Sequence, residues 1–376
     1  MRYIRGKKGS DVAVKHFWKR CGKLHGWLVS VLAVLVLYFI LRRCHGLMNT
    51  ITTRILLPLE RAIFSLCAAT TVSVAEVCYL TAALTVLLYA AWTVKRLIEG
   101  KRGRGMILYR FALTLLCSGL SVYALFCLMW GIGYQADSFS QRSGIAPRGG
   151  TVEELTTLTA EYARQLAACA DDVARDENGV FAVSREEIFA DSTSIYDNLY
   201  DEFPFLYLRD HAPKAVTHSK ILSALDFTGF YFPFTGEANL NVDSPACFLP
   251  ATIVHEMAHQ RLITSEQECN FIAILGATRS ESAAYRYSGW LLGYLHLSNA
   301  LYRADKAAWQ AIRDALPDTV KADLQYNNAY WNAWKGPVKE VSQRIYNGFL
   351  KSNGDENGIQ SYGTVVDMLL AYAAQE

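Results

Sequence analysis

The amino-acid sequence predicts a mainly α-helical fold class, with N-terminal transmembrane helices followed by a soluble α+β domain that has a small edge sheet before its central helix. Three observations lead to this prediction. Apolar residues make up 52% of the 376 residues, a high share for a soluble protein. They concentrate in three long runs within the first third of the chain. The remainder has helical periodicity, interrupted by one aromatic stretch that alternates like a strand.

The three apolar runs cover about 24–41, 72–94 and 106–132. Each is nearly or fully long enough to cross a hydrocarbon core of about 30 Å as a helix. Glu76 and Arg110 lie near run ends, where charged side chains can reach the polar surface of the bilayer. A signal sequence followed by buried core helices is the alternative, and three well-separated runs argue against it. We therefore assign residues 1–134 to a membrane region with three transmembrane helices, whose partner is the lipid bilayer.

The distribution of Lys and Arg predicts the orientation. Basic residues concentrate before the first run and between the second and third runs. The positive-inside rule places both stretches in the cytoplasm, so we expect a multi-pass protein of the cell membrane whose soluble domain is extracytoplasmic. Between the first two runs, Ile51, Ile55, Leu59 and Ile63 recur at every fourth position, which suits a helix in the membrane interface. The formal net charge of +2 gives no support for nucleic-acid binding.

The soluble part begins with a Ser-, Gly- and Pro-containing linker at 135–150, followed by a domain at 151–376. Thr151 with Glu154 has the pattern of a capping box and predicts a helix to about residue 174; Ser184 with a glutamate three positions later predicts another. The aromatic stretch 228–242 predicts strands, and Pro233 restricts its segment to a sheet edge or turn. Such a strand suits pairing with an extended peptide, although an ordinary edge strand fits equally well.

The run His255-Glu-Met-Ala-His259 carries the most specific chemical pattern. Two histidines four positions apart lie on one face of a helix, which lets both imidazoles reach a single Zn²⁺. Glu256 is then placed to act as general base on water at the metal. The sequence therefore predicts a zinc-dependent hydrolytic site, with His255 and His259 as ligands.

A catalytic zinc site needs a third protein ligand, and the next segment offers two acids. Ser265 with Glu268 has the pattern of a capping box, which would turn Glu268 back onto the start of a helix. Glu266 is then the freer carboxylate and our expected third ligand, with Glu268 as its competitor. A capped, solvated first helical turn is the plain alternative for both acids. Asn270 lies one turn after Glu266 and is placed to orient a histidine ligand.

Several segments carry a resemblance when taken together: 130–134, 213–214, 229–241, 255–261, 266–271 and 358–367. They are similar to an uncharacterised family of bacterial membrane proteins known only as a domain of unknown function. The resemblance implies a zincin-like metallopeptidase domain of gluzincin type with Zn²⁺ as cofactor, and it implies no substrate. The pattern Glu-x-x-Cys-Asn resembles a gluzincin segment in which the first Glu is the ligand, which favours Glu266. Cys269 replaces a small residue there, and we expect it to fill apolar space.

Hydrolysis also needs a donor for the oxyanion. We name Tyr287 and Tyr362 as candidates, with Tyr285 and Arg286 as further possibilities, although most of the 21 tyrosines must be structural. Two function classes follow. The first is a membrane-anchored zinc metallopeptidase acting on a protein or peptide substrate; the second is a non-hydrolytic membrane sensor or a peptide- or cell-wall-binding protein. Glu256 favours the first, since pure binding needs no base. The pattern leaves the oligomeric state open.

Overall fold

A computed structural model describes residues 20–100, 103–352 and 362–375, without the side chain of Tyr362. The protein is mainly helical, as predicted. The α-helices are α1 Gly22–Leu41, α2 His45–Ile51, α3 Leu57–Cys67, α4 Val74–Glu99, α5 Arg104–Phe126, α6 Phe139–Ser143, α7 Val152–Ala168, α8 Arg185–Asp191, α9 Ser219–Leu225, α10 Leu249–His259, α11 Glu266–Thr278, α12 Ala283–Ala304, α13 Lys306–Asp314, α14 Asp318–Ala333, α15 Pro337–Ser352 and α16 Tyr362–Ala373. The strands are β1 Lys214–Ala215, β2 Gly229–Phe232 and β3 Glu237–Leu240. Two π-helical segments, Thr52–Leu56 and Cys127–Gly131, continue α2 and α5.

The chain forms two compact units. Of the described residues, the first unit contains 20–48 together with 77–100 and 103–135, and the second contains 49–76 together with 136–352 and 362–375. The three predicted apolar runs are helical, and Gly22–Leu41, Val74–Glu99 and Arg104–Gly131 are long and apolar enough to cross a membrane. In the first unit, α1 packs against α5, where His25 Nε2 lies 2.6 Å from the hydroxyl of Tyr109. Length and composition thus fit a membrane protein.

The core of the second unit lies between α7, α10, α11, α12 and α16. Helix α7 begins in the predicted capping box of Thr151 and Glu154, and it ends at Ala168 rather than near residue 174. Gly289 of α12 lies so close to α11 that a Cβ atom there would come within 2.8 Å of the backbone nitrogen of Thr278. Glycine therefore allows the tight crossing that brings α11 and α12 together.

The sheet has the strand order β1-β3-β2. Strand β1 is parallel to β3, whereas β2 pairs with β3 antiparallel, with Gly229 opposite Leu240. Strand β2 therefore lies at an edge of the sheet formed by the described residues. The predicted strands are confirmed, and Pro233 lies in the turn that follows β2.

The segment 49–76 packs within the second unit, although our sequence-based division placed it with the membrane region. The buried carboxylate of Glu237 accepts hydrogen bonds from the backbone N–H groups of Val74 and Ala75, at 3.2 and 2.9 Å. Ser73 donates to Asn239 at 2.6 Å. The partners lie more than 160 positions apart in the sequence. Local patterns carry no signal for such contacts.

Candidate metal centre and active site

The two histidines of the HExxH run lie on one face of α10. Pro250 occupies the first turn of this helix, where a missing N–H costs nothing. One turn separates His255 from His259, and their ring centroids are 5.0 Å apart. The two imidazoles therefore lie side by side, as the spacing predicts.

A tight reversal of the chain brings Glu266 to these histidines. Helix α10 ends at His259, and Leu262 adopts a left-handed backbone conformation with φ of 57°. Ser265 then caps α11, whose first residue is Glu266. One carboxylate oxygen of Glu266 lies 3.1 Å from Nε2 of His255, and the other lies 3.7 Å from Nε2 of His259. A ligand atom from each of the three side chains lies within 4.8 Å of the other two.

The other nitrogen of each imidazole is held by a fixed acceptor. Nδ1 of His255 lies 2.9 Å from Oδ1 of Asn270, the contact that the sequence spacing predicts. Nδ1 of His259 lies 2.7 Å from the backbone oxygen of Ile263. These acceptors favour a proton on Nδ1 and leave Nε2 of each ring facing Glu266. The two Nε2 atoms are therefore oriented toward the same carboxylate.

The charges in this cluster depend strongly on each other. Burial alone would raise the pKa of Glu266, but charge on His259 and His255 holds that pKa well below its usual value. Burial opposes a charge on His259, yet Cys269 and Glu266 beside it raise its pKa well above the usual range. The carboxylate therefore needs a positive partner, which is a protonated histidine when no metal is bound. A divalent cation can replace that proton, so these residues fit a metal ion.

Glu256 lies on the same helix and is 4% exposed. Burial raises its pKa to about 7, against the opposing effect of His255 and His259. A Cβ atom at Gly229 would come within 2.7 Å of Oε1 of Glu256, so the start of β2 runs directly beside this carboxyl group. A side chain at position 229 would occupy the space next to the proposed base. The absence of a side chain here keeps the edge strand close to Glu256.

Glu268, the competitor for the third ligand, has a different role. The Ser265 hydroxyl accepts from the backbone N–H of Glu268, so the predicted N-cap is present. The predicted return of the Glu268 side chain onto that cap is wrong. Its two carboxylate oxygens instead accept from the backbone N–H groups of Phe139 and Ser140, each at 2.9 Å. Glu268 thus pairs with first-turn donors of α6 that have no partner within that helix.

Cys269 lies behind His259 rather than among the converging ligand atoms. Its sulfur is 3.3 Å from Nδ1 of His259 and 3.4 Å from the backbone oxygen of Ile263. Burial raises the pKa of the Cys269 thiol to about 11. A protonated, buried thiol on the Nδ1 side of His259 lies outside the three converging ligand atoms.

The proposed oxyanion donors lie elsewhere. Tyr287 is fully buried, donates to Asp323 and stacks on Phe181. We therefore withdraw it as a donor, because its hydroxyl is committed to Asp323. The hydroxyl of Tyr285 donates to the backbone of α8. The guanidinium of Arg286 donates to the backbone oxygens of Ser280 and Glu281, just before α12. The side chain of Tyr362 lies outside the described residues.

Two residues near the histidines were not predicted from the sequence. The ring centroid of Tyr231, on β2, is 6.3 Å from that of His259, and its hydroxyl donates to Glu60 at 2.7 Å. His296 of α12 is 8% exposed, and burial followed by the nearby charge of His255 lowers its pKa to about 4. His296 is therefore a neutral imidazole at neutral pH. Strand alternation marked Tyr231 only as an aromatic residue, and His296 lies far from His255 and His259 in the sequence.

Comparison with known proteins adds one finding. Residues 52–370 match a family described as "Protein of unknown function (DUF3810)". No curated protein and no solved structure matches the chain. The matched range contains α10, α11, the sheet and the segment 52–76 that packs with them.

Proposed function

The chain belongs to the DUF3810 family, and on that premise we propose that it is a membrane-anchored, zinc-dependent metallopeptidase of the zincin-like, gluzincin type. In this proposal the three apolar helices span the cell membrane and the soluble domain is extracytoplasmic. The substrate is a protein or peptide. The observation that carries the proposal is the convergence of His255, His259 and Glu266 beside the buried carboxyl group of Glu256.

Each residue then has a definite role. His255, His259 and Glu266 would hold the ion through both Nε2 atoms and the carboxylate. A zinc ion bound there supplies a Lewis acid for the substrate carbonyl and makes water acidic near neutral pH. Glu256 accepts the proton of the attacking water and returns it to the departing amine. Its raised pKa, at about 7, suits a group that must both accept and release a proton.

The edge strand β2 is our candidate for substrate binding. It runs beside Glu256 at Gly229 and is an edge strand of the sheet that the described residues form. An extended peptide can add to such an edge through backbone hydrogen bonds, which would align its carbonyl groups along the histidine face of α10.

The alternative is a non-hydrolytic sensor, or a peptide- or cell-wall-binding protein, that uses the same groove. Such a protein needs no general base. Burial of the Glu256 carboxyl group lowers the stability of the fold. A protein that only binds would gain nothing from this cost, so the buried carboxyl group favours hydrolysis.

The test uses the full-length protein in detergent or nanodiscs. Zinc content is measured by mass spectrometry, and cleavage is measured on a mixed peptide library. We expect about one zinc ion per chain. Glu256→Gln should retain zinc and lose cleavage by about 10²–10⁴-fold, the usual contribution of a general base. Zinc binding with no cleavage that depends on Glu256 would favour the sensor instead.

A further inference from the structure

The segment between the first two apolar helices forms a two-sided helix within the second unit. From 52 onward it continues through a π-helical segment into α3. Its inner face is buried at every fourth position, in Thr52, Leu56, Glu60 and Phe64. A spacing of four needs more residues per turn than the 3.6 of an α-helix, and the π segment helps to keep this face in register.

The outer face carries large apolar side chains that the rest of the described chain leaves uncovered. Ile55, Leu59 and Leu66 are 57%, 45% and 77% exposed. With Ala62, which is also exposed, they follow the helical spacing i, i+4, i+7 and i+11 and form one stripe. We call these four residues the outer stripe.

The chain itself indicates what covers the outer stripe. Helix α3 ends at Cys67, and the apolar helix α4 begins at Val74. The residues between them can extend over roughly 25 Å at most, so the outer stripe cannot lie far from the N-terminal end of α4. The exposed side chain of Arg54 is long enough to reach lipid phosphate groups from the interface. Tyr207, 63% exposed, accepts a hydrogen bond on its backbone oxygen from Arg61, and tyrosine is enriched at membrane surfaces.

The inner face connects this helix to the candidate active site. Glu60 accepts the hydrogen bond of Tyr231 at 2.7 Å, and the ring of Tyr231 contacts that of His259. The thickness of one helix plus one aromatic side chain therefore separates the histidines from the outer stripe, a distance on the order of 20 Å.

We propose that the outer stripe lies in the membrane interface and holds the candidate active site next to the bilayer, so that its substrates are peptide segments anchored at the membrane surface. The substrate part rests on the proposed peptidase function and on the proposed membrane topology. The lipid contact does not depend on hydrolysis. Burial of an apolar helix face at the interface is the usual behaviour of such helices.

The first experiment tests lipid contact in the full-length protein, in nanodiscs of phosphatidylcholine and phosphatidylglycerol. The photoreactive residue p-benzoylphenylalanine replaces Leu59 or Leu66, and adducts are identified by mass spectrometry. Val152 of α7 is the control, because it is 47% exposed and is followed directly by the charged residues Glu153 and Glu154. We expect lipid adducts at 59 and 66 that exceed those at 152 by about 10-fold, in line with burial of one helix face. Equal yields at all three positions would overturn the proposal.

The second experiment tests the substrate class in proteoliposomes of the same lipids. A peptide library is compared with its N-palmitoylated form. We expect faster cleavage of the palmitoylated form by at least about 10-fold, because anchoring raises the effective concentration. The double variant Leu59→Asp/Leu66→Asp should lose this preference and keep cleavage of the free library. Equal cleavage rates for both libraries would refute the membrane-anchored substrate class. Cleavage of neither library would refute the proposed peptidase function, and lipid contact of the outer stripe would then be decided by the first experiment alone.

Discussion

Two buried carboxylates of the second unit differ in how their charge is balanced. Asp323 of α14 is fully buried and accepts from Arg175 at 2.6 Å, from the hydroxyl of Tyr287 and from the backbone of Phe181. Glu266 faces two imidazoles, whose other nitrogens are already held by fixed acceptors. The described residues supply a permanent cation to the first carboxylate and two titratable imidazoles to the second.

This difference separates a structural cluster from a candidate metal centre. A buried ion pair with all its hydrogen bonds made leaves no coordination position for a ligand. Two imidazoles aimed at one carboxylate leave a place for an added cation, because the proton that they hold beside Glu266 can be exchanged for a metal ion. Composition alone would not distinguish the two clusters, since both contain an acid, a base and aromatic neighbours.

A third buried carboxyl group offers another solution. Glu60 is 2% exposed, and burial raises its pKa from 4.5 to about 8 despite the hydrogen bond from Tyr231. It is therefore mostly protonated at neutral pH. The buried acids of this one unit thus differ: Asp323 pairs with an arginine, Glu266 faces two histidines in the candidate metal site, and Glu60 stays neutral.

The largest expected effect concerns the third ligand. Glu266→Gln should weaken zinc binding by more than about 100-fold, because it removes the proposed anionic ligand itself. Loss of a residue that only hydrogen-bonds a ligand usually weakens metal binding by about 10–100-fold. Competition with a fluorescent zinc chelator measures the affinity. Glu268→Gln is the matched control, since its carboxylate caps α6 and should leave zinc affinity unchanged. If only the Glu268→Gln variant loses zinc, Glu268 is the third ligand and Glu266 is not.

The structural cluster should respond in the opposite way. Asp323→Asn leaves the largely buried Arg175 without its anion and should lower the free energy of unfolding by about 3–5 kcal/mol. Denaturant unfolding in detergent measures this change, and zinc bound per folded protein should stay constant. Asp318→Asn on the same helix is the control, because Asp318 is fully exposed. An Asp323 variant that folds normally but lacks zinc would contradict the distinction.

A smaller effect is expected from the outer partner of His255. Asn270→Ala removes the acceptor at Nδ1 and should weaken zinc binding by about 10–100-fold. Asn270→Asp retains an acceptor at the same place and should restore most of the affinity. If both variants bind zinc as the parent does, Asn270 does not orient the ligand.

The smallest expected effect is the pH dependence carried by Glu60. Because its pKa is raised in the folded protein, its contribution to stability is fully present below pH 4.5 and is lost as pH rises through about 8. The glutamine of the Glu60→Gln variant cannot ionise. From pH 6 to pH 8 the free energy of unfolding of the parent should therefore fall by about 2 kcal/mol more than that of the variant. Unfolding measured at both pH values gives this difference. Parallel pH profiles would mean that Glu60 is ionised in the folded state.

Parts of the fold and site that depend on neighbouring residues were predictable. The N-caps at Thr151, Ser184 and Ser265, the shared face of His255 and His259 and the position of Asn270 all follow from helical spacing over a few residues. The apolar helices followed from length and composition.

Features that depend on long-range packing were not predictable. Glu268 matched a local capping pattern, but first-turn donors of α6, about 130 positions earlier, use its carboxylate instead. Tyr231 could be placed on a strand, whereas its contact with His259 depends on how the sheet packs against α10. The attachment of segment 49–76 to the second unit depends on buried groups such as Glu237, which look unremarkable in sequence.

The most direct test of the central claim is the metal content of the full-length protein after removal and controlled return of divalent ions. We predict that the parent takes up about one zinc ion per chain and that His255→Ala and His259→Ala take up none at the same free zinc concentration. A folded parent protein that binds no divalent ion, or histidine variants that bind it as tightly as the parent, would contradict this assignment.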